Sequence, residues 1–139
     1  MSRYDRLYVA FLYYFNDQRD YFECHEVMEE LWLEEGRNPL YQGLLQIAVG
    51  LYHHWNGNIS GSIKLFRAGL EKLAPYPETS LGIDLERLRL ESEQYVNQLL
   101  HIEEKPFKPY DLDIVVQDPA LLALVEEMRM TPPPTEDHH

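Results

Sequence analysis

Residues 39–55 read PLYQGLLQIAVGLYHHW, and they belong to a longer run, from Asn38 to Ile63, that contains no Asp, Glu, Lys or Arg. Such charged residues make up 26% of the chain as a whole. A helix that is apolar nearly all round is buried inside a fold rather than laid on its surface. The run therefore predicts a central helix, from about Leu40 to Trp55, against which the other elements pack.

Apolar residues on both sides of this run recur at three- and four-residue steps, the spacing of amphipathic helices. Asp20 and Asp118 are placed as N-caps, with Pro119 at a first helical position, whereas Gly36 and Pro75 are typical of helix ends. No segment shows sustained period-two alternation. These patterns predict an all-α fold, a single-domain array or bundle of five to six helices.

The same signals divide the chain. We predict one domain over residues 1–130 and a disordered Pro-rich tail over residues 131–139. Within the domain, a long fifth helix is expected from Leu81, and residues 112–116 could form a brief extended piece.

Charge and composition exclude several classes of function. The chain has 24 acidic and 12 basic residues and a formal net charge of −12, so its average field repels phosphate backbones and a nucleic-acid partner is not expected. No window approaches the ~18 apolar residues of a membrane span. No secretory signal is visible, and Cys24 is the single cysteine, which suits a reducing cytoplasm.

The segment just before the central helix, YFECHEVMEELW at residues 21–32, is amphipathic. On a wheel of about 100° per residue, Cys24 lies on the apolar arc and is expected in the core. His25 and Glu29 lie one turn apart at the flank of that arc, whereas Glu23 and Glu30 fall on the far side as a solvated face.

The central helix carries a complementary polar stripe formed by Gln42, Gln46 and His53. Gly43 and Gly50 lie beside this stripe, and each glycine costs about 1 kcal/mol in a helix interior. We infer close approach by another element. If the His25/Glu29 edge packs there, the two helices enclose a polar cluster, which consists of His25, Glu29, Gln42, Gln46 and His53, with Glu26 at its rim.

Such a cluster allows two interpretations. His25 and Glu29, with His53 as a third ligand, could hold a divalent metal ion, and Glu26 could deprotonate a metal-bound water for hydrolysis. Gln42 and Gln46 would then bind and select a small polar ligand. Glu29 stands where a zinc protease of the H-E-x-x-H type has its second His, which argues against protease chemistry. Alternatively, the side chains satisfy one another and the cluster is purely structural.

A set of spaced residues extends over roughly half the chain. It comprises Phe15-Asn16, Tyr21-Phe22-Glu23, His25-Glu26, Glu29, Trp32, Gln42-Gly43-Leu44-Leu45-Gln46, Tyr52-His53 and Gly57-Asn58. This combination resembles domain-of-unknown-function family 309, a family of small bacterial and archaeal proteins. The resemblance implies an all-α helical array and carries no established activity. Residues 52–75 are weakly similar to a single tetratricopeptide-type helical hairpin, and one copy is not a solenoid.

Two functions from different classes follow. The first is binding of a divalent metal ion or small polar ligand at the polar cluster. The second is a non-catalytic protein-interaction module or homo-oligomer, to which the ten tyrosines would contribute contact area. The first requires the cluster residues to converge, and the second requires exposed apolar surface.

Overall fold

The structure is a computed structural model and describes residues 4–134. Within these residues there are six α-helices, one π-helical turn and a two-stranded antiparallel hairpin, which confirms the all-α class. The helices are α1 Arg6–Tyr13, α2 Tyr21–Glu34, α3 Pro39–Trp55, α4 Ile59–Leu73, α5 Leu85–Leu100 and α6 Pro119–Met130. The π-helical turn is Tyr14–Gln18, and the strands are β1 Thr79–Ser80 and β2 Ile83–Asp84. Of the predicted tail, residues 135–139 lie outside the described part.

Every one of these six helices begins with an Asp or Asn side chain that accepts a hydrogen bond from a backbone N–H of the first turn. Such caps satisfy amide groups that the helix itself leaves unpaired. The N-caps are Asp5, Asp20, Asn38, Asn58, Asp84 and Asp118. The helix starts expected at Asp20 and Asp118 are confirmed, because capping depends on side chains close by in the sequence.

Helix α3 lies between α2 and α4. Phe22, near the start of α2, contacts Tyr52, near the end of α3, with ring centroids 6.1 Å apart, so the two helices run antiparallel. On its other side α3 meets α4 closely. A Cβ at Gly69 would lie 2.9 Å from the carbonyl oxygen of Gly43, and a Cβ at Gly50 would lie 2.8 Å from the ring of Phe66. The close approach predicted from the glycines is therefore real, but the approaching element is α4 rather than α2.

The start of α5 differs from the prediction. Residues from Leu81 were expected to be helical, whereas the helix begins at Leu85 and the chain first makes the β1–β2 hairpin. Leu81 and Gly82 form its two-residue turn, with φ of 51° and 75°. Two positive φ values suit the twist of a tight hairpin and are incompatible with a right-handed helix.

A long irregular segment connects the end of α5 to the start of α6. We name residues 110–117 the strap. Leu112 and Ile114 of the strap are buried, and the Asn16 side chain brackets Ile114, accepting from its N–H at 2.9 Å and donating to its C=O at 2.7 Å. Asp84 N–H donates to the carbonyl of Val115 at 2.9 Å. The strap thus joins the π-helical turn after α1 to the β hairpin.

Candidate functional site

The α2 half of the polar cluster is assembled on one helix flank. Nδ1 of His25 lies 3.5 Å from Oε1 of Glu26, and its Nε2 lies 3.3 Å from Oε2 of Glu29. The His25 side chain is 40% exposed, and the two carboxylates are 47% and 49% exposed. The imidazole therefore sits between two solvated carboxylates, and ion pairs in such surroundings contribute little to stability.

The α3 half of the cluster is partly buried, as its stripe predicted. Gln42, Gln46 and His53 all have intermediate exposure. His53 faces the next turn of the chain, because its Nδ1 lies 3.5 Å from Nδ2 of Asn58, the N-cap of α4. No hydrogen bond or ion pair within residues 4–134 connects His53 to His25 or Glu29. His25, Glu26 and Glu29 are brought together, and His53 is engaged elsewhere.

A three-ligand metal centre finds no support in this arrangement. Within the described part of the chain, no group of three or more His, Cys, Asp or Glu side chains has the geometry to hold a metal ion. Cys24, as expected, is a core residue: it is fully buried, and burial raises the pKa of its thiol well above the usual value. A buried, protonated thiol is a poor nucleophile and a poor metal ligand.

Helices α2 and α3 nevertheless each contain one buried polar side-chain atom without a hydrogen-bond partner. The indole Nε1 of Trp32 and the amide Oε1 of Gln46 are buried and have no hydrogen-bond partner. One is a donor and the other an acceptor, and leaving either unpaired costs about 1–3 kcal/mol. Arg37 covers the Trp32 ring, with its guanidinium carbon 5.5 Å from the ring centroid. A polar molecule at each of these atoms would remove that cost.

A second site, which the sequence did not reveal, lies where α2 begins and α3 ends. We name it the aromatic cleft. It has a volume of about 510 Å³ and is open to solvent along one side. Its lining residues are Gln18, Arg19, Asp20, Tyr21, Phe22, Tyr52, Trp55, Asn56 and Asp111. Three of them, Phe22, Tyr52 and Trp55, are large aromatic side chains that are 38%, 38% and 51% exposed.

Polar side chains also line the cleft, and the strap holds two of these lining residues, Arg19 and Tyr21. Arg19 has a left-handed backbone, with φ of 53°, and its side chain donates to the carbonyl of Leu112 at 2.6 Å and pairs with Asp113 at 2.5 Å. The hydroxyl of Tyr21 donates to Oδ1 of Asp111. Burial, followed by this bond to a carboxylate, raises the pKa of Tyr21, so the phenol remains a neutral donor.

A buried histidine, which precedes Trp55 in the chain, was also missed. His54 is 4% exposed, and its Nδ1 is hydrogen-bonded to the hydroxyl of Tyr95 on α5 at 2.5 Å. The ring of Phe107 packs edge-on against it, with centroids 5.0 Å apart, and burial lowers the pKa of His54. Its position could have been found from the sequence, because residue 54 follows Gly50 and Leu51 at helical spacing on the buried face of α3.

Comparison with known proteins supports the resemblance drawn from the sequence. The family model described as Domain of unknown function (DUF309) matches residues 8–65, which confirms the predicted similarity. This range, from α1 into α4, includes the whole polar cluster and every lining residue of the aromatic cleft except Asp111.

Two relatives are themselves uncharacterized. YpuF of Bacillus subtilis (strain 168) is 38% identical over 90 residues, which cover 61% of this chain and 52% of YpuF. A protein of Aquifex aeolicus (strain VF5) is 28% identical over 88 residues, which cover 61% of this chain and 25% of that protein. The alignments therefore span about half of the first relative and about a quarter of the second. No solved structure gave a significant match.

Proposed function

We propose that this chain, whose residues 8–65 match the DUF309 family, is a non-catalytic protein-interaction module that holds a partner protein in the aromatic cleft. One observation carries the proposal: Phe22, Tyr52 and Trp55 are exposed together along one cleft. Single exposed apolar side chains are ordinary, whereas grouped aromatic side chains mark interaction surfaces. Trp and Tyr are also the residues that most often dominate binding energy at interfaces.

The shape of the cleft favours a protein partner over an enclosed small molecule. Small-molecule sites surround most of the ligand surface, whereas this cleft is open along one side. No helix among residues 4–134 combines the length and apolar character needed to cross a lipid bilayer. The rings therefore offer a place for a side chain or short segment that projects from another protein.

The experiment compares Trp55→Ala with Leu33→Ala. Leu33 is 53% exposed but lies outside the cleft, so it is a matched control for loss of exposed apolar area. Proteins captured by the wild-type chain from lysate of its source cells are identified, purified and titrated calorimetrically. We expect Trp55→Ala to weaken binding by about tenfold or more, as for an aromatic anchor, and Leu33→Ala to leave it unchanged.

Two results would contradict this proposal. The first is a partner whose affinity is the same for wild type and Trp55→Ala. The second is a dimer, detected by analytical ultracentrifugation, that Trp55→Ala dissociates, because the cleft would then be filled by a second copy of the chain. That result would establish the homo-oligomer instead.

A second candidate function is favoured by the unpaired Trp32 Nε1 and Gln46 Oε1. Here a small polar ligand that both donates and accepts hydrogen bonds would be held between α2 and α3, with His25, Glu29 and the base Glu26 contributed by α2 and Gln42 by α3, and without His53. Metal-assisted hydrolysis is the less favoured form of this candidate, because among the residues proposed for the metal site only His25, Glu26 and Glu29 lie together.

Elemental analysis of protein truncated before Pro132, which removes His138 and His139, tests the metal form of this candidate against a His25→Ala variant. Native mass spectrometry tests the organic form against Gln46→Leu. Stoichiometric metal or a retained small molecule in the wild-type chain, lost in the matching variant, would support this function. If the wild-type chain contains neither metal nor a retained small molecule, the interaction module is the only one of the two candidate functions that remains.

A further inference from the structure

We infer that the partner segment held in the aromatic cleft is basic and inserts an Arg side chain between the aromatic rings and Asp111. This inference rests on the proposed function and identifies the chemistry of the partner. It follows from the charges of the cleft, from the hydrogen bonds that those charges already make, and from the geometry of the rings.

The cleft has more negative than positive charge. Among its lining residues, Asp20 and Asp111 are acidic and Arg19 is basic. The Arg19 guanidinium is already engaged by Asp113 and by the carbonyl of Leu112. These contacts use two of its five N–H donors, and Asp113 compensates its charge, so the carboxylates of the cleft favour a cation over an acidic partner.

Asp111 retains an available oxygen. Its Oδ1 accepts from Tyr21, and its Oδ2 forms an ion pair with Nε of Arg19 at 3.9 Å, a separation beyond hydrogen-bond distance, so this oxygen can still accept a hydrogen bond. The side chain of Asp111 is 36% exposed. A carboxylate held at one oxygen and open at the other is a fixed acceptor for an incoming guanidinium or ammonium group.

The rings supply the remainder of the site. A cation is attracted to the face of an aromatic ring, and most strongly to Trp, while the methylene stem of a basic side chain packs on apolar surface. Trp55, Tyr52 and Phe22 provide these faces and line the same cleft as Asp20 and Asp111. Arg suits this arrangement better than Lys, because its planar guanidinium can stack on a ring while its edge donates to Oδ2.

The net charge of the whole chain also favours a basic partner. A formal net charge of −12 attracts basic segments at long range and repels both nucleic acid and anionic membrane surfaces. Long-range attraction would raise the association rate at low ionic strength, and the cleft would then select the segment through its anchoring side chain.

The test is an NMR titration with N-acetyl-arginine methylamide as the probe, and with its uncharged citrulline analogue. We expect the arginine probe to shift the indole N–H signal of Trp55, with shifts at least about threefold smaller for citrulline, given the strength of exposed cation–π contacts. Asp111→Asn keeps an oxygen for the Tyr21 hydroxyl but removes the charge, and it should weaken binding of the arginine probe about threefold. Glu30→Gln, outside the cleft, should leave it unchanged.

Equal shifts by both probes, or arginine shifts that Asp111→Asn does not reduce, would overturn the inference. The proposed function is tested separately, by the dependence of the captured partner on Trp55. If the captured partner depends on Trp55 but binds Asp111→Asn and wild type equally, the chain is an interaction module whose anchor is not cationic. If the partner binds Trp55→Ala and wild type with equal affinity, the proposed interaction module is refuted.

Discussion

His54 shows how one residue on the central helix can be polar and still belong to the core. Its hydrogen bond to Tyr95 and its edge-on contact with Phe107 replace the water that an imidazole normally binds. Tyr95 in turn is stacked on Phe66, with ring centroids 4.9 Å apart. The neutral form fits this surrounding, whereas the charged form would be buried without a counter-ion.

This burial predicts a dependence of stability on pH. The folded pKa of His54 is lowered relative to the ordinary value of about 6.5, so below that value the unfolded chain binds a proton that the folded chain does not. The free energy of unfolding contributed by His54 therefore falls as the pH falls below about 6.5, and the loss levels off below the folded pKa. Above that pH, His54 makes no pH-dependent contribution.

Urea denaturation of wild type and His54→Gln between pH 5 and 8, roughly the range in which His titrates, measures this effect. Glutamine can still accept from the Tyr95 hydroxyl but does not titrate, so the difference between the two curves isolates His54. We expect the difference to be flat above neutral pH and to favour the variant progressively in acid. A difference independent of pH would show that His54 does not carry the effect.

At the scale of elements, a feature could be predicted from the sequence when the residues that form it lie close together in the chain. Helix starts at Asp20 and Asp118 were predictable, because a cap acts on amides only two or three residues away. The helix that packs against Gly43 and Gly50 was not predictable, because a glycine indicates close approach by another element but does not identify that element. The structure places α4 there. Although α3 does pack against α2, the flank of α2 that carries His25, Glu26 and Glu29 remains half exposed.

The aromatic cleft could not be predicted for a related reason. Its rings come from the start of α2 and the end of α3, and its carboxylate Asp111 comes from the strap, well outside both helices. Within either helix alone, Phe22 and Trp55 read as ordinary members of an amphipathic pattern. Only the antiparallel pairing of α2 with α3, set over the whole length of both helices, brings their ends together.

On the scale of the whole molecule, the strap connects the last third of the chain to the π-helical turn that follows the first helix. Asn16 makes this connection, because its single amide group satisfies both the N–H and the C=O of Ile114. A buried backbone group without a partner costs as much as a lost hydrogen bond. The strap also supplies Asp111 and, through Leu112 and Asp113, holds Arg19 at the cleft.

Replacing Asn16 with Leu should therefore affect both stability and binding. We expect the free energy of unfolding to fall by about 2–4 kcal/mol, because two backbone groups of Ile114 lose their partners, and the Ile114 amide to exchange with solvent faster than in wild type. Asn97→Leu is the matched control, since Asn97 is exposed on α5. Under conditions in which the variant is still folded, it should bind the arginine probe more weakly than wild type. The reason is that the strap, which supplies Asp111, is less firmly held, whereas Trp55 and Phe22 are unchanged. If the Ile114 amide stays protected, the strap is held by Leu112 and Ile114 packing, and Asn16 is not its anchor.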